Sequence, residues 1–301
     1  MSNQFQIISD GACDMAPELA AKHNIKIVPF YVSFDKEHYY KEIEEIGIRD
    51  FYQKMIDQPD VFPKSSLPSI DDYITTFTPF AKDGIPVICI CITSKFSGSF
   101  NAANNAKNIL LDDYPDAQIT VIDSTVITGL QLLYVMEAVR MRDNGLSYEE
   151  TIANLDRIKS SGRIMFTTAD ISYLKSGGRI GKLMSLANNA LKIKPLITFK
   201  EGEIFPSGIV RARKKSYDKV IEQTRKHFQE TGENPNDYVF NVGYGYDEEE
   251  GRMFRDLLLK DLQTYCDIDE EHLPIFQIGA TIGVHTGPHP LGVTFLKKYD
   301  A

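Results

Sequence analysis

The chain has 301 residues, of which 43% are hydrophobic and 25% charged, and its formal net charge is −9. That length supports a large core and lies near the size at which chains divide into two domains. The acidic balance argues against nucleic acid as a partner. No apolar run reaches the roughly 18–20 residues that span a bilayer, so no integral membrane segment is expected.

The first residues, Met1-Ser2-Asn3-Gln4, pass directly into an apolar run without the basic-then-apolar order of a signal peptide, and the chain reads as cytoplasmic. Buried strands are expected at 5–9, 25–34, 85–92 and 119–122, with helices at about 15–23, 48–57, 70–82, 98–111 and 126–143. Asp14 with Pro17 suits the start of the first helix, and Ser69 with Asp72 has the spacing of a capping box. Cys89 and Cys91 alternate inside the run from Val87 to Ile92 and read as small core residues, with no metal spacing and no disulfide expected.

Around Gly145 the pattern changes. Ser147 with Glu150 forms a second capping box for a helix running to about 160, and strands follow near 164–168, 195–200, 203–210, 238–244, 275–281 and 291–296. A hairpin at Glu201-Gly202 implies a mixed sheet. The expected architecture is two α/β/α domains, 1–160 with a mostly parallel sheet and 161–301 with a mixed one.

The stretch CITSKFSGSFNAA, residues 91–103, ends an apolar strand and opens a helix with hydroxyl residues crowded around Gly98. In parallel α/β sheets ligands bind beyond the carboxyl ends of strands. Ser97 can cap the helix, Gly98 lets a ligand approach the backbone, and the first-turn N–H groups favour an anion. A nucleophile elbow needs a second glycine, and a phosphate loop needs a Lys-Ser/Thr pair; neither is present. Ordinary capping accounts for the motif about as well as an anion site does.

Other stretches carry similar chemistry. Lys64-Ser65-Ser66-Leu67-Pro68-Ser69 places three hydroxyls before a capped helix, or is simply a polar turn fixed by Pro68. Asp10 ends the first strand and reads as a turn residue. His285, within IGVHTGPHPLG, either serves structure or donates to an anion; with His289 it would suit zinc only on a helix, which Gly287 and Pro288 oppose. The basic run from Arg211 through Arg213 to Lys215 reads as a solvated helix start or a docking patch.

Taken in order, six features resemble the DegV family across nearly the whole chain. They are Ser9-Asp10 with Cys13-Asp14, the hydroxyl stretch 65–69, Ser94 to Ser99, Val121-Ile122-Asp123-Ser124, the stretch Tyr173 to Ile180, and Gly283-Val284-His285-Thr286-Gly287-Pro288. The resemblance implies a two-domain α/β protein that binds a long-chain fatty acid in a tunnel between the domains. It further implies a carrier that is no enzyme itself, presents the carboxylate to a separate fatty-acid kinase, and needs no cofactor beyond that ligand. By position, the carboxylate contacts fall on Ser65 and Ser97 with Gly98 and His285, and docking on Arg211 and Arg213. Leu67 and His289 depart from the family's usual residues. The alternative is a phosphoryl-transfer or hydrolase enzyme using Ser97 with His285.

Overall fold

Short runs of alternating or continuous apolar residues set the first sheet. In the computed structural model, which describes residues 5–169, 171–184 and 193–301, strand β1 (Gln6–Asp10) is followed by a single 3₁₀ turn, helix α1 (Pro17–Lys22), β2 (Ile25–Val28), β3 (Tyr31–Ser33) and β4 (Tyr40–Lys41). Then come α2 (Ile48–Asp57), β5 (Lys64–Ser66), α3 (Ile70–Lys82), β6 (Val87–Cys91), α4 (Ser99–Asp113), β7 (Ile119–Asp123), α5 (Thr128–Asp143) and α6 (Tyr148–Ile158). The remainder holds β8 (Arg163–Thr167), α7 (Ser172–Ser176), β9 (Lys194–Lys200), β10 (Glu203–Val210) and α8 (Arg213–Thr231). It closes with β11 (Tyr238–Tyr244), α9 (Glu248–Leu262), β12 (Ile275–Gln277), α10 (Ala280–Thr286) and β13 (Leu291–Lys297). The first four residues, on which the reading of the N-terminus rests, lie outside the described ones.

Among the described residues the strands form three sheets. One is parallel in the order β2-β1-β6-β7, one is mixed in the order β10-β9-β8-β13-β11-β12, and a small antiparallel one is ordered β4-β3-β5. Strands of the first sheet come from residues 6–123 and those of the mixed sheet from 163–297. The expected α/β class, with a parallel and a mixed sheet, is what the chain adopts.

Side-chain alternation places helices on both sides of each sheet. Ile8, Val87, Cys89 and Cys91 pack under α3 and α4, whereas Ile7, Ile88 and Ile90 face α5. Met165, Phe240, Val242 and Phe295 pack under α8 and α9, whereas Ile164, Ile197, Phe199 and Leu296 face α5 from the opposite direction. Helix α5 is therefore buried almost all round, with Leu130, Tyr134, Val135, Ala138 and Val139 in one core shared by both sheets. The two sheets lie on either side of a common middle layer.

Both capping boxes form: Ser69 Oγ accepts from Asp72 N at 3.1 Å, and Ser147 Oγ from Glu150 N at 3.2 Å. Several local expectations give way. The run at 25–34 is two strands in different sheets, because Pro29 offers no N–H and the Phe30 carbonyl accepts from Glu42 instead. Asp14 does not start α1, whose first residue is Pro17 after Ala16; it is buried at a φ of 52° and bonds to Thr128. The expected strand 275–281 ends at Gln277, and α10 begins at Ala280. His285 is therefore helical, while His289 lies beyond the end of that helix at Gly287.

Candidate functional site

Asp10 fastens the strand ends that carry the site. It is fully buried, and it accepts from Ile92 N (2.9 Å), Ser99 Oγ (2.6 Å) and Gln131 Nε2 (2.8 Å), joining β1 to the end of β6 and to the starts of α4 and α5. It is an internal fastener, where the sequence suggested a turn residue. Helix α4 begins as expected, with Gly98 at the cap position; Ser97 stands one residue earlier, and its Oγ accepts from Ser99 N at 3.2 Å. The β9–β10 hairpin braces this loop, since Lys95 Nζ donates to the Glu201 carbonyl at 2.9 Å.

Ser65 lies in β5 and not in a free turn, paired with Val32 of β3. His285 approaches it from α10, with Nε2 3.1 Å from Ser65 Oγ. The other ring nitrogen, Nδ1, is buried with no hydrogen-bond partner among the described residues. A proton on Nδ1 would be buried unpaired, so the ring carries its proton on Nε2 and donates it to Ser65. That direction leaves the Ser65 hydroxyl proton free for a ligand.

The site is electropositive without a charged histidine. Burial, then Arg179 and Lys64, push His285 down to about 4. Arg179 donates to the Phe96 carbonyl at 3.2 Å and to the Gly177 carbonyl at 2.9 Å, and Lys64 Nζ to the Ser176 carbonyl at 2.8 Å. Gly177 permits this assembly: a Cβ there would lie 2.1 Å from His285 Nδ1. The stretch 173–180 was legible as a motif, but the roles of Gly177 and Arg179 were not.

Ser65, Ser97, Arg179 and His285 line a cavity that is mostly apolar, with Phe30, Ile92, Phe96, Phe166, Phe199 and Phe276 among its walls. The space open to the centre of a water-sized sphere is about 210 Å³, far beyond what a single water occupies. The lining draws on the mixed sheet, on β5, on the segment between β6 and α4, and on α10. Gly98 stands at the helix start against Leu67, which lines the cavity and is 38% exposed. The chemistry this arrangement suits is a long apolar chain ending in an anion.

The basic run divides. Arg211 is exposed. Arg213 makes a bidentate pair with Glu250 at 2.9 and 2.8 Å and donates to the His289 carbonyl at 2.9 Å, behind the loop that follows α10. Among the described residues no group of three or more His, Cys, Asp or Glu is placed to hold a metal, and no helix is long and apolar enough to cross a membrane. The hydrogen bond of His285 goes to Ser65, and Ser97 is not joined to it.

Known proteins resemble this chain over nearly its whole length. A structure of a stearic-acid-binding protein from Eubacterium ventriosum superposes with a TM-score of 0.93 at 43% identity, covering 99% of each chain. A fatty-acid-binding DegV family protein from Thermus thermophilus superposes at 0.84 with 25% identity, covering 98% of this chain and 99% of its own. A DegV domain-containing protein of Clostridium perfringens is 30% identical over 293 residues, 97% of this chain and 99% of that one. The model of the DegV family, described as an uncharacterised protein family, matches residues 4–298, and the chain belongs to the DegV family.

Proposed function

We propose that this chain binds a long-chain fatty acid in the cavity, as a tunnel between an N-terminal domain, 1–160, and a C-terminal one, 161–301. Ser65 and Ser97, beside Gly98 and His285, hold the carboxylate. The observation that carries the reading is a mostly apolar cavity whose lining also holds the hydrogen-bonded Ser65–His285 pair, Ser97 and Arg179. The fatty-acid-binding relatives from Eubacterium ventriosum and Thermus thermophilus support it.

Energetics assign different tasks to the two ends. Burying about 14 methylenes at ~0.8 kcal/mol each contributes roughly 11 kcal/mol before ordering costs. A hydrogen bond to a charged carboxylate adds about 1.5–3 kcal/mol. Affinity comes from the apolar body, and Ser65, Ser97 and His285 decide which end faces the mouth.

A carrier of this kind performs no chemistry itself and presents the carboxylate to a fatty-acid kinase in the cytoplasm, docking through the exposed Arg211. The bond from Arg213 to Glu250 gives that residue a bracing task beside any docking one. A hydrolase built on Ser97 and His285 has no support from the hydrogen bonding, which couples His285 to Ser65. Organic extraction of the purified protein followed by mass spectrometry tests the proposal. A co-purified or loadable C14–C20 acid is expected; failure to load any such acid overturns it.

A further inference from the structure

Away from the carboxylate end, two buried acids meet at the other end of α10. Asp14 is 5% exposed and Glu42 2% exposed. Glu42 accepts from Ala280 N (2.9 Å), Thr281 N (3.1 Å) and Thr281 Oγ1 (2.5 Å), and so caps the helix that carries His285. Asp14 Oδ2 accepts from Thr128 Oγ1 at 2.5 Å, while Asp14 Oδ1 is buried without a well-formed hydrogen bond among the described residues. A Cβ on Gly279 would lie 2.4 Å from Glu42 Oε1 and 2.5 Å from Asp14 Oδ1. The two oxygens are thus less than about 5 Å apart, within the range where two carboxyls compete over ionisation.

Among the described residues no cation is placed to balance two negative charges. From β1 and the turn after it, Asp10 and the thiol of Cys13 face the pair; from α2 the Tyr52 hydroxyl does, itself unpartnered among the described residues. Helix α5 offers Thr128 and α10 Thr281, both uncharged. Lys64 on β5 turns to Ser176, at the His285 end. Lys41, next to Glu42, lies 3.7 Å from Asp72 and 3.9 Å from Glu44, and Lys26 is exposed on the rim of an outer pocket. Burial raises Asp14, and Glu42 adds to it; burial raises Glu42 to about 7.

We propose that Asp14 and Glu42 hold one proton between them and act as positioning residues for the α10 wall of the cavity, so that losing this proton loosens the hold on a bound chain. The connection is short. Thr128 and Thr281, which donate to the two acids, both line the cavity. On its other side Glu42 lines the outer pocket, through which the proton leaves to water. With both carboxyls ionised, repulsion acts between the Asp14 turn and the first residues of α10. The consequence for ligand retention rests on the fatty-acid reading above.

The sign of the pH dependence follows from the raised carboxyls. The folded state keeps a proton that the unfolded chain has released, so the stabilisation is complete at low pH and is lost as pH rises through about 7. The test compares the wild type with Asp14→Asn and Glu42→Gln in thermal melts at pH 5 and pH 8, and in release of preloaded palmitate to albumin at pH 6 and pH 8. Asp14→Asn is expected to match or exceed the wild-type Tm at pH 8 while falling below it at pH 5. Release from the wild type is expected to accelerate several-fold with pH, and in Asp14→Asn to stay flat. Equal loss of Tm at both pH values, or a wild-type release ratio retained in the variant, overturns the proposal. Should Asp14→Asn not fold, Glu42→Gln and the wild-type urea stability between pH 6.5 and 8 decide, and a wild-type stability that does not fall over this range is contrary to it. If palmitate does not load, the carrier reading fails while the melts still judge the shared proton.

Discussion

His285 Nε2 meets Ser65 Oγ at 3.1 Å across 220 residues of sequence. Because Nδ1 is buried beside Gly177, the imidazole donates and Ser65 keeps its own proton for the ligand. Ser65→Ala removes one hydrogen bond to a charged carboxylate, about 1.5–3 kcal/mol or roughly tenfold to a hundredfold in affinity. The weakening is expected for a C16 acid and not for its methyl ester, which isothermal titration of both ligands distinguishes. Equal loss for both would place Ser65 in the packing of the cavity and not in carboxylate recognition.

The neutral state of His285 has a signature in acid. Its folded value of about 4 lies below the ordinary 6.5, so between those values the unfolded chain takes up a proton that the folded one declines. The contribution is complete above about pH 6.5 and is lost as pH falls through 4. Urea midpoints measured from pH 4 to 7 should therefore fall less steeply toward acid in His285→Gln than in the wild type. Superimposable profiles would contradict a buried neutral imidazole.

Gly177 is required by proximity and not by backbone freedom, since its φ is −76°. Gly177→Ala puts a methyl carbon against His285 Nδ1 and must displace the ring or α7. Overpacking of this kind costs about 1–3 kcal/mol. The expected result is a lower Tm together with weakened acid binding, read by calorimetry and titration on the same sample. A variant with wild-type values in both would show that α7 and α10 separate freely.

Arg211 and Arg213 should respond differently to the same substitution. Arg213→Ala breaks a half-buried bidentate pair with Glu250 and frees the His289 carbonyl, with an expected loss of about 2–3 kcal/mol in urea denaturation. Arg211 is exposed, so Arg211→Glu should stay within about 0.5 kcal/mol of the wild type. Capture of a fatty-acid kinase by immobilised protein should fall in Arg211→Glu, and unchanged capture would remove Arg211 from the docking surface.

Much of this protein could be read from local pattern. Continuous apolar runs marked β1 and β6, capping boxes marked α3 and α6, and hydroxyls after a strand marked the start of α4, because each signal is made by neighbours in sequence. The family resemblance lay in ordered short motifs of the same kind. Other features had no local cause. Ala280 and Thr281 look like the end of a strand until Glu42, from a distant part of the chain, caps them as the start of α10. Asp14 resembles a helix start until Thr128 and Glu42 surround it. An apolar residue facing the cavity, such as Phe199, is written the same way as one in solid core. Sequence determined most of the strands and helices and which residue types the site contains; tertiary structure decided which carboxyls meet, which way His285 donates and where space remains. The reason is that hydrogen-bond direction, desolvation and cavity volume depend on atoms brought together from distant segments, and no window of the chain contains both partners.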